Sequence, residues 1–407
     1  MSLFTTPLLT QEQSTSSPAI SDFVYQLQNV DFEAMGQAGF DLAVIDYSAD
    51  GTDETAFPRE RIDSLRNAPA GPAIVLSYLS IGEAEDYRFY WEDDWKPGNP
   101  SWLGHENPDW EGNFRVAYWD SGWREIVLRY LDKILDAGFD GVYCDLVDQY
   151  EYFMERGRDS AAIEMADLVA EIRAAGRVRN PDFRVFVQNA SELPGLVASY
   201  LESVDGIGQE DIYYGYERDG VATPSEVTSW LENNLAVFRD AGKSVLTVDY
   251  PFSLSENKPH FDSQTRQKID LAYERSASNG FIPYCTVREL NFMTINPGHE
   301  PASVRDREGS GSPRPASPAL LPNYPNPFNG STVIPVAVPR PVHAILSVFD
   351  SRGAEMARIH DGMVRAGRTE FRWDGRSFGD RPAASGVYFA VWEAEGRRET
   401  VKMILVR

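Results

Sequence analysis

GVYCD (141–145) and GIGQE (206–210) are short apolar runs that each end in a carboxylate, Asp145 and Glu210. They belong to a series of eight strand-like segments that alternate with helical segments. This alternation predicts an α/β protein with a (β/α)8 TIM barrel, in which the C-terminal ends of the strands carry the chemistry. The two carboxylates should meet at one rim of the barrel, an arrangement suited to cleaving glycosidic bonds.

The predicted strands are apolar runs bounded by glycine, proline or polar residues. They cover residues 23–27, 41–48, 73–80, 141–145, 184–189, 206–210, 244–250 and 281–286. Helices are predicted at residues 31–38, 58–66, 122–137, 160–175, 224–241 and 263–278, and a seventh, short helix is predicted directly after the fifth strand. Pro58 is predicted to be an early helical residue, and Gly176 to end the fourth of these helices. The long segment 84–120 is predicted to be a loop without structure of its own.

Four parts of the chain differ in composition. Residues 1–20 are predicted to be a flexible leader, or the remainder of a signal that has been removed. Residues 21–300 contain the predicted barrel. Residues 301–319, rich in proline, serine, glycine and arginine, are predicted to be a linker. Residues 320–407 contain five short alternating segments, which predict a small all-β, immunoglobulin-like sandwich.

The net charge of the 407 residues is −24, from 62 acidic and 38 basic side chains. Residues 320–407 hold nine acidic and twelve basic side chains, so the first 319 residues carry about −27. A surface of this charge repels nucleic acid and anionic membranes and attracts a cationic substrate. It equally suits a salt-rich habitat or simple solubility. Because of this charge no nucleic-acid partner is expected. Because no apolar run reaches membrane-spanning length, no membrane insertion is expected.

Cysteine and histidine give no indication of a disulfide or a metal site. Cys144 and Cys285 fall in the fourth and eighth predicted strands, and strand alternation directs both thiols outward, toward the helices. Both are expected to be buried free thiols. The five histidines are scattered without the spacing of metal ligands, and no cofactor is expected.

Further polar side chains at the predicted rim are candidates for binding sugar hydroxyl groups, because amides and phenols offer donors and acceptors. They are Tyr78, Gln188, Asn189, Tyr213, Tyr250 and Tyr284. Each is equally compatible with a satisfied polar group of the core. The 84–120 segment adds tryptophans that either stack on sugar rings or anchor the loop to the barrel. These are Trp91, Trp95, Trp102, Trp110 and Trp119, with Trp123 just beyond.

Residues 23–290 resemble glycoside hydrolase family 114, whose characterised members are endo-α-1,4-polygalactosaminidases with TIM-barrel domains. The resemblance lies in YQLQ (25–28), DLAVIDYS (41–48), LSYLSIGEAEDYR (76–88), GFDGVYCDLVD (138–148), QN (188–189) and QEDIYY (209–214). It implies that Asp145 and Glu210, after the fourth and sixth strands, are the catalytic acids. It also implies an acidic, substrate-binding pocket whose further members are Asp46, Glu83 and Asp249.

The residue types suggest how the two acids divide the reaction. Hydrolysis needs an acid that protonates the departing oxygen and a carboxylate that meets the sugar carbon directly or through water. Asp145 suits the nucleophile or base, and the longer Glu210 suits the acid. Crowding of carboxylates is expected to raise at least one pKa and to keep a proton available. The alternative is that these acids pair with rim arginines or cap helices.

Residues 320–407 resemble the sorting domains of the type IX secretion system. The resemblance lies in LPNYPNPFNGSTVIPVAVP (321–339), VFDSRG (348–353), SGVYF (385–389) and KMILVR (402–407). It implies that the type IX secretion machinery recognises this domain, exports the protein across the outer membrane, and often removes the domain afterwards. A secreted or cell-surface location is therefore expected, with a signal peptide already removed.

Together these expectations describe a secreted glycoside hydrolase that cleaves an α-linked, galactosamine-containing polysaccharide, which is cationic where it is deacetylated. Two alternatives remain open. One is another α-glycosidase, such as an α-galactosidase, whose pocket would lack a carboxylate near the sugar C2 position. The other is a catalytically silent carbohydrate-binding surface protein, in which the two acids are far apart or one is locked in an arginine pair.

Overall fold

The chain separates into two compact units, Met1–Ala302 and Ser303–Arg407. The computed structural model describes residues 20–68, 70–252, 259–301, 319–320, 323–324, 326–338, 342–364, 367–379, 381–394 and 397–406. The predicted leader (1–20) and linker (301–319) lie almost wholly outside the described residues.

The first unit alternates strands with helices. In chain order its elements are β1 (Phe23–Tyr25), α1 (Phe32–Ala38), β2 (Leu42–Ile45), α2 (Arg59–Arg66), β3 (Ile74–Ser80), β4 (Glu83–Glu85), β5 (Leu103–Glu106), β6 (Asn113–Val116), α3 (Ser121–Asp136), β7 (Gly141–Asp145), α4 (Gln149–Met154), α5 (Ala161–Arg179), β8 (Arg184–Gln188), α6 (Leu193–Leu196), a 3-10 helix (Ala198–Ser203), β9 (Gly206–Glu210), α7 (Ser225–Asp240), β10 (Ser244–Asp249), α8 (Ser263–Asn279) and β11 (Ile282–Cys285).

Eight parallel strands of the described residues form one sheet in the order β1-β2-β3-β7-β8-β9-β10-β11. β11 returns to lie beside β1, so the sheet is nearly closed into a barrel. Most strand residues are fully buried, as expected of strands with helices on one face and the barrel interior on the other. The predicted (β/α)8 barrel is therefore confirmed.

The register of the parallel strands determines which side chains share the lumen. Tyr78 pairs with Tyr143 and Ser80 with Asp145, and parallel neighbours in register point to the same face. Alternation along β7 turns Cys144 to the opposite, helix-covered face. Both cysteines are free and buried, as predicted.

The prediction of an unstructured loop at 84–120 is wrong. This segment contains most of a three-stranded antiparallel sheet in the order β4-β6-β5. Its strands have only three or four residues, and their sequences lack the regular alternation that reveals longer strands. Because β4 begins three residues after β3 ends, the small sheet is attached to the C-terminal rim of the barrel.

Two helix boundaries differ from the predictions, and one helix was not predicted. Pro58 lies just before α2 in an extended conformation. α5 continues through Gly176, where a Cβ atom would lie 2.2 Å from the Phe183 ring, so this glycine serves close packing and does not end the helix. The short helix α4, directly after β7, was not predicted. Within the described residues, no helix is long and apolar enough to cross a membrane.

The second unit is all-β. Its strands are β12 (Ala319–Leu320), β13 (Thr332–Val338), β14 (Val342–Asp350), β15 (Glu355–Val364), β16 (Gly367–Trp373), β17 (Arg376–Ser377), β18 (Arg381–Pro382), β19 (Gly386–Ala394) and β20 (Arg397–Leu405). Antiparallel sheets in the orders β12-β13-β16 and β15-β14-β19-β20 share one apolar core, which confirms the predicted sandwich. β15 was not predicted, because this irregularly paired edge strand is polar and contains a glycine.

Candidate active site

Asp145 and Glu210 are the last residues of β7 and β9, the two strands that flank β8. Neighbouring strands lie about 4.8 Å apart, so the backbones that carry the two side chains are about 10 Å apart. Both side chains remain partly exposed at the C-terminal rim. The structure therefore brings both predicted carboxylates to the same end of the barrel.

Asp145 is held by one tyrosine and by its own backbone. The Tyr78 hydroxyl donates to Asp145 Oδ2 at 2.7 Å, and the Leu146 N–H donates to Oδ1 at 2.7 Å. Tyr78 projects from β3 and is itself buried, which restricts its movement. Both contacts favour the ionised carboxyl and fix its direction.

Glu210 is held by an amide and a second tyrosine. Gln188 Nε2 donates to Glu210 Oε2 at 2.5 Å, and the Tyr250 hydroxyl donates to Oε1. The Tyr25 hydroxyl donates to Gln188 Oε1 at 2.8 Å and so orients the amide. Tyr78, Gln188 and Tyr250, which were predicted to contact sugar, thus lie directly against the two carboxylates.

The environment of the two carboxyl groups raises the pKa of both. Burial raises the pKa of Asp145 to about 7, although the Tyr78 hydrogen bond opposes the shift. Burial also raises the pKa of Glu210 to about 7, and the charges of Asp211 and Asp145 act in the same direction. The charge of Asp145 acts on Glu210, so protonation of the two groups is linked. Such a pair supplies one acid and one base at neutral pH.

The residues that directly follow Asp145 and Glu210 both have a left-handed backbone. The φ angle is 59° at Leu146 and 60° at Asp211. Residues other than glycine adopt this conformation rarely, at a cost of about 1–2 kcal/mol. Strain of this kind clusters at functional sites. Here it ends both strands abruptly at the carboxylates.

Asp148 belongs to the same acidic cluster, although it is not among the predicted site residues. Burial raises its pKa to about 7, and the charges of Glu151, Glu210 and Glu83 add to the shift. Among the described residues no other residue forms an ion pair or a side-chain hydrogen bond with its carboxylate, which accepts a hydrogen bond from its own backbone N–H. The sequence signal for it is its position three residues after Asp145, inside GFDGVYCDLVD.

Asp46, predicted to bind substrate, forms a buried ion pair. Arg88 Nη1 donates to Asp46 Oδ1 at 2.8 Å, and the same guanidinium binds Glu85 at 2.7 Å. It also donates to the Tyr130 hydroxyl at 2.8 Å. Removing one member of a buried pair leaves an uncompensated charge and costs about 3–5 kcal/mol. The partner of Asp46 in this structure is therefore an arginine.

Glu83, also predicted to bind substrate, is fully buried in β4. Its Oε1 accepts hydrogen bonds from Asn107 and Gln149, both at 3.0 Å, whereas its buried Oε2 has no partner. Burial raises the pKa of this carboxyl. The structure places Glu83 beneath the rim, where it connects the small sheet to α4.

Three other predicted sugar contacts lie on the helix side of the strands or within the core. Asp249 is buried and accepts two backbone N–H groups of the loop after β9, at 2.6 and 2.8 Å. The Tyr213 ring packs against Arg275 of α8, whose guanidinium carbon lies 4.9 Å from the ring centre. Tyr284 is buried, and its hydroxyl accepts a backbone N–H at 2.8 Å. None of the three adjoins the two carboxylates.

Asn189 supports the end of β9. Its Oδ1 accepts hydrogen bonds from Gln209 Nε2 at 3.0 Å and from the Glu210 N–H at 3.3 Å. Like Leu146 and Asp211, it has a positive φ, of 57°. Its contacts orient the backbone that carries Glu210, and its side chain remains partly exposed.

Most of the rim tryptophans anchor the segment that carries them. Trp102 and Trp123 are buried and contact each other, with ring centres 5.1 Å apart. Trp95 packs edge-on against Trp102. Trp110 differs, because it is 55% exposed. It is therefore the tryptophan of this segment that remains available for stacking on a sugar.

Neither Asp145 nor Glu210 takes part in an ion pair within the described part of the chain. The arginine pairing expected of a silent binding protein is therefore not observed at these residues. Over the same described residues, no group of three or more histidine, cysteine, aspartate or glutamate side chains is arranged to hold a metal ion.

The sequence model of glycoside-hydrolase family GH114 matches residues 5–301, which include the whole barrel. The chain belongs to this family. GH114 membership agrees with the resemblance found in the sequence motifs. It makes the protein a glycosidase, an enzyme that hydrolyses O-glycosyl bonds.

Two relatives match this GH114 chain over most of their own lengths. An uncharacterised protein of Thermotoga maritima is 37% identical over 279 residues, which cover 68% of this chain and 83% of the relative. An uncharacterised protein of Methanocaldococcus jannaschii is 38% identical over 281 residues, which cover 67% and 78%.

Two solved structures share the GH114 barrel fold. The glycoside hydrolase domain of PelA from Pseudomonas aeruginosa has a TM-score of 0.52 at 15% identity, covering 68% of this chain and 99% of that one. Aspergillus fumigatus Ega3, solved in complex with galactosamine, has a TM-score of 0.50 at 21% identity, covering 69% and 96%. At these identities the likeness concerns the fold alone.

Proposed function

We propose that this GH114 enzyme cleaves an α-linked, galactosamine-containing polysaccharide, with Asp145 as nucleophile or base and Glu210 as acid. The observation that carries the proposal is the pair of partly exposed carboxyls at the ends of β7 and β9, each with its pKa raised to about 7. One proton on this pair is what hydrolysis of an acetal requires at neutral pH.

Both carboxyls accept two hydrogen bonds, but the largest influence after burial differs between them. The Tyr78 hydrogen bond lowers the pKa of Asp145, whereas the charge of Asp211 raises the pKa of Glu210. The Tyr78 hydroxyl and the Leu146 N–H both donate to Asp145, which favours its ionised form. Glu210 is followed directly by Asp211, whose negative charge favours the protonated form of Glu210. Glu210 then gives its proton to the departing oxygen, while Asp145 meets the oxocarbenium-like carbon directly or through water.

Asp148 and the charge of the barrel region support an amino sugar as the substrate. The Asp148 carboxylate pairs with no other residue among those described, and the charge of Glu210 acts on it. An ammonium group would offset this crowding of negative charges. An α-galactosidase, the first alternative, needs no such carboxylate. The net charge of about −27 over the first 319 residues would also attract a cationic polymer.

The test is product release from deacetylated α-1,4-galactosaminan, compared for the wild type, Asp145→Asn and Glu210→Gln. We expect oligosaccharides from the wild type and a loss of about 10²- to 10⁴-fold in either variant. Asp182→Asn and Glu202→Gln change exposed acids of the same types elsewhere on the barrel and serve as matched controls.

Each other outcome contradicts part of the proposal. Binding of the polymer without product from the wild type contradicts hydrolysis of this substrate. Equal release from an α-galactoside polymer contradicts the preference for an amino sugar. Full activity of Asp145→Asn or Glu210→Gln removes that residue from the catalytic pair.

We further infer that residues 320–407 direct export through the type IX secretion machinery, to the cell surface or the medium. Two of the four stretches that carry the resemblance, 321–339 and 402–407, meet in the sandwich. Asn326 of NYPNPFN donates to the Lys402 carbonyl at 2.9 Å and accepts the Ile404 N–H at 2.8 Å. Phe328 of the same motif is buried against Trp373. These contacts support a single recognition element made from the start and the end of the unit.

The export proposal is tested with the full chain, preceded by a signal peptide, in a bacterium that has a type IX secretion system. We expect the protein at the surface or in the medium, and its retention in the periplasm when residues 320–407 are deleted. A mutant host without the machinery is the control. Export of both forms, or export from the mutant host, contradicts the proposal.

A further inference from the structure

Arg288 lies three residues beyond β11 and binds the loop that follows Glu210. Its Nη2 donates to Asp211 Oδ1 at 2.7 Å, and its Nη1 lies 3.3 Å from Oδ2 of the same carboxylate. Its Nε donates to Asp219 Oδ1 at 2.7 Å, and Nη2 also donates to the Gly215 carbonyl at 3.1 Å. One guanidinium group therefore binds both end residues of the segment 211–219.

The same guanidinium lies against the tyrosine that binds Glu210. The central carbon of Arg288 is 4.0 Å from the centre of the Tyr250 ring, and the Tyr250 hydroxyl donates to Glu210 Oε1. Arg288 is thus linked to Glu210 indirectly, through two residues that it contacts. One is Tyr250, and the other is Asp211, the next residue in the chain after Glu210.

The loop closes so tightly around this pair that one position requires glycine. Gly215 has a φ of 125°, and a Cβ atom there would lie 2.1 Å from Asp211 Oδ1 and 2.9 Å from Arg288 Nη2. Asp211 itself has a φ of 60°. An ion pair enclosed by two unusual backbone conformations is a specific feature of this rim, unlike an exposed surface pair.

We propose that Arg288 and Asp211 form a positioning pair that holds Glu210 in its reactive orientation and sets the charge around it. Neither residue touches the substrate. The inference rests on the proposed function, in which Glu210 is the acid. It extends that function to two residues that the sequence motifs and the catalytic pair leave unassigned.

The two members of the pair act on Glu210 in opposite directions. The charge of Asp211 raises the pKa of Glu210, whereas the charge of Arg288 lowers it. The other groups whose charge interacts with Glu210 from neighbouring elements are Asp145, Asp148, Tyr25, Tyr143 and Tyr250. These groups are unchanged when Asp211 or Arg288 is replaced. The direction in which the pKa of Glu210 shifts therefore shows the effect of the charge that was removed.

The test measures kcat and KM against pH for Asp211→Asn and Arg288→Gln. If protonated Glu210 is the acid, its ionisation produces the alkaline limb of the profile. We expect Asp211→Asn to move this limb to lower pH and Arg288→Gln to move it to higher pH. Both should lower kcat about tenfold or more and leave KM within about threefold, because the pair positions an acid and does not bind the polymer.

Arg158→Gln is the matched control, since Arg158 also stacks on an aromatic ring and pairs with a carboxylate, but away from Glu210. It should leave both limbs in place. Asparagine tolerates the left-handed conformation at position 211, so Asp211→Asn should fold normally. Limbs that stay fixed, or that move in the same direction in both variants, overturn the proposal.

A second measurement needs no substrate and so separates this inference from the proposed function. Melting temperatures of the wild type, Arg288→Gln, Glu210→Gln and the double variant form a thermodynamic cycle. At pH 8, where Glu210 is mostly ionised, the loss of Arg288 should lower Tm more when Glu210 is present than when it is Gln. At pH 5 the two losses should be equal. A cycle without this pH-dependent coupling overturns the inference, whatever the enzyme cleaves.

Discussion

Gly208 of β9 faces the phenol of Tyr143 inside the barrel, and a Cβ atom at position 208 would lie 1.7 Å from the Tyr143 hydroxyl oxygen. The phenol is fully buried, and the charges of Glu210 and Asp145 both act on it. The absence of a side chain at position 208 therefore makes room for the buried Tyr143 ring, on which both carboxylates act.

Gly208→Ala should displace the Tyr143 side chain. The added methyl group meets both the hydroxyl and the ring, so the Tyr143 side chain or strand β9 must shift. Overpacking of this kind costs about 1–3 kcal/mol. We expect a lower free energy of unfolding in urea and a clear loss of kcat. Gly195→Ala, where a Cβ atom meets nothing within 4 Å, is the control and should change neither.

Tyr78→Phe should move the acid limb of the pH–rate profile. The Tyr78 hydrogen bond lowers the pKa of Asp145, which burial raises to about 7. Without it the pKa of Asp145 rises, so the ionised form needed by a nucleophile or base is reached only at higher pH. Rates measured from pH 4 to pH 10 should show the acid limb shifted upward. Tyr118→Phe, which loses a 2.9 Å hydrogen bond to the Ala161 carbonyl, should leave both limbs in place.

The barrel and the two carboxylates could be predicted because the information is local. β7 and β9 begin and end at the predicted residues, since each is an apolar run that starts at a glycine and ends at a carboxylate. The face of the sheet on which the Asp249 side chain lies could also be predicted from the local sequence. Asp249 directly precedes Tyr250, and neighbouring strand positions face opposite sides, so both could not point into one pocket.

Other features of the site depend on contacts that are distant in the sequence. Arg288 binds Asp211 across 77 positions, and nothing near either residue indicates the pair. Glu83 lies in an acidic motif that suggests an exposed rim, yet it is fully buried, and its carboxyl accepts hydrogen bonds from Asn107 and Gln149. Because β4, β5 and β6 have three or four residues each, the small sheet that contains Glu83 could not be predicted from periodicity.

Asp148→Asn should stabilise the protein in a pH-dependent way. Burial raises the pKa of Asp148 to about 7, whereas an unfolded aspartate titrates near about 3.9. The folded state therefore holds this proton more tightly, and the wild type loses stability as the pH rises from about 4 to about 7. Asparagine does not titrate, so its variant escapes this loss. Melting temperatures should agree at pH 3.5 and be several degrees higher for the variant at pH 8.

The same variant also tests the assignment of the amino-sugar contact. If Asp148 binds an ammonium group, Asp148→Asn should raise KM for deacetylated galactosaminan and leave KM for the N-acetylated polymer unchanged. An equal effect on both polymers contradicts that contact while leaving the stability prediction intact. The exposed Asp182→Asn is the control for both measurements.

Glu83 offers a clean separation between a structural and a substrate-binding role. Glu83→Gln keeps an acceptor for Asn107 and Gln149 and removes the titrating proton from a fully buried site. Glu83→Ala leaves both donors unsatisfied next to a cavity, which costs about 2–5 kcal/mol. If Glu83 only connects the small sheet to α4, the Glu83→Gln variant keeps the wild-type KM and has an equal or higher Tm at pH 8. The Glu83→Ala variant then unfolds at a lower temperature than the wild type. A Glu83→Gln enzyme with unchanged Tm and a KM raised about tenfold would instead mean that the rim opens and this carboxyl reaches the sugar, as the sequence motif predicts.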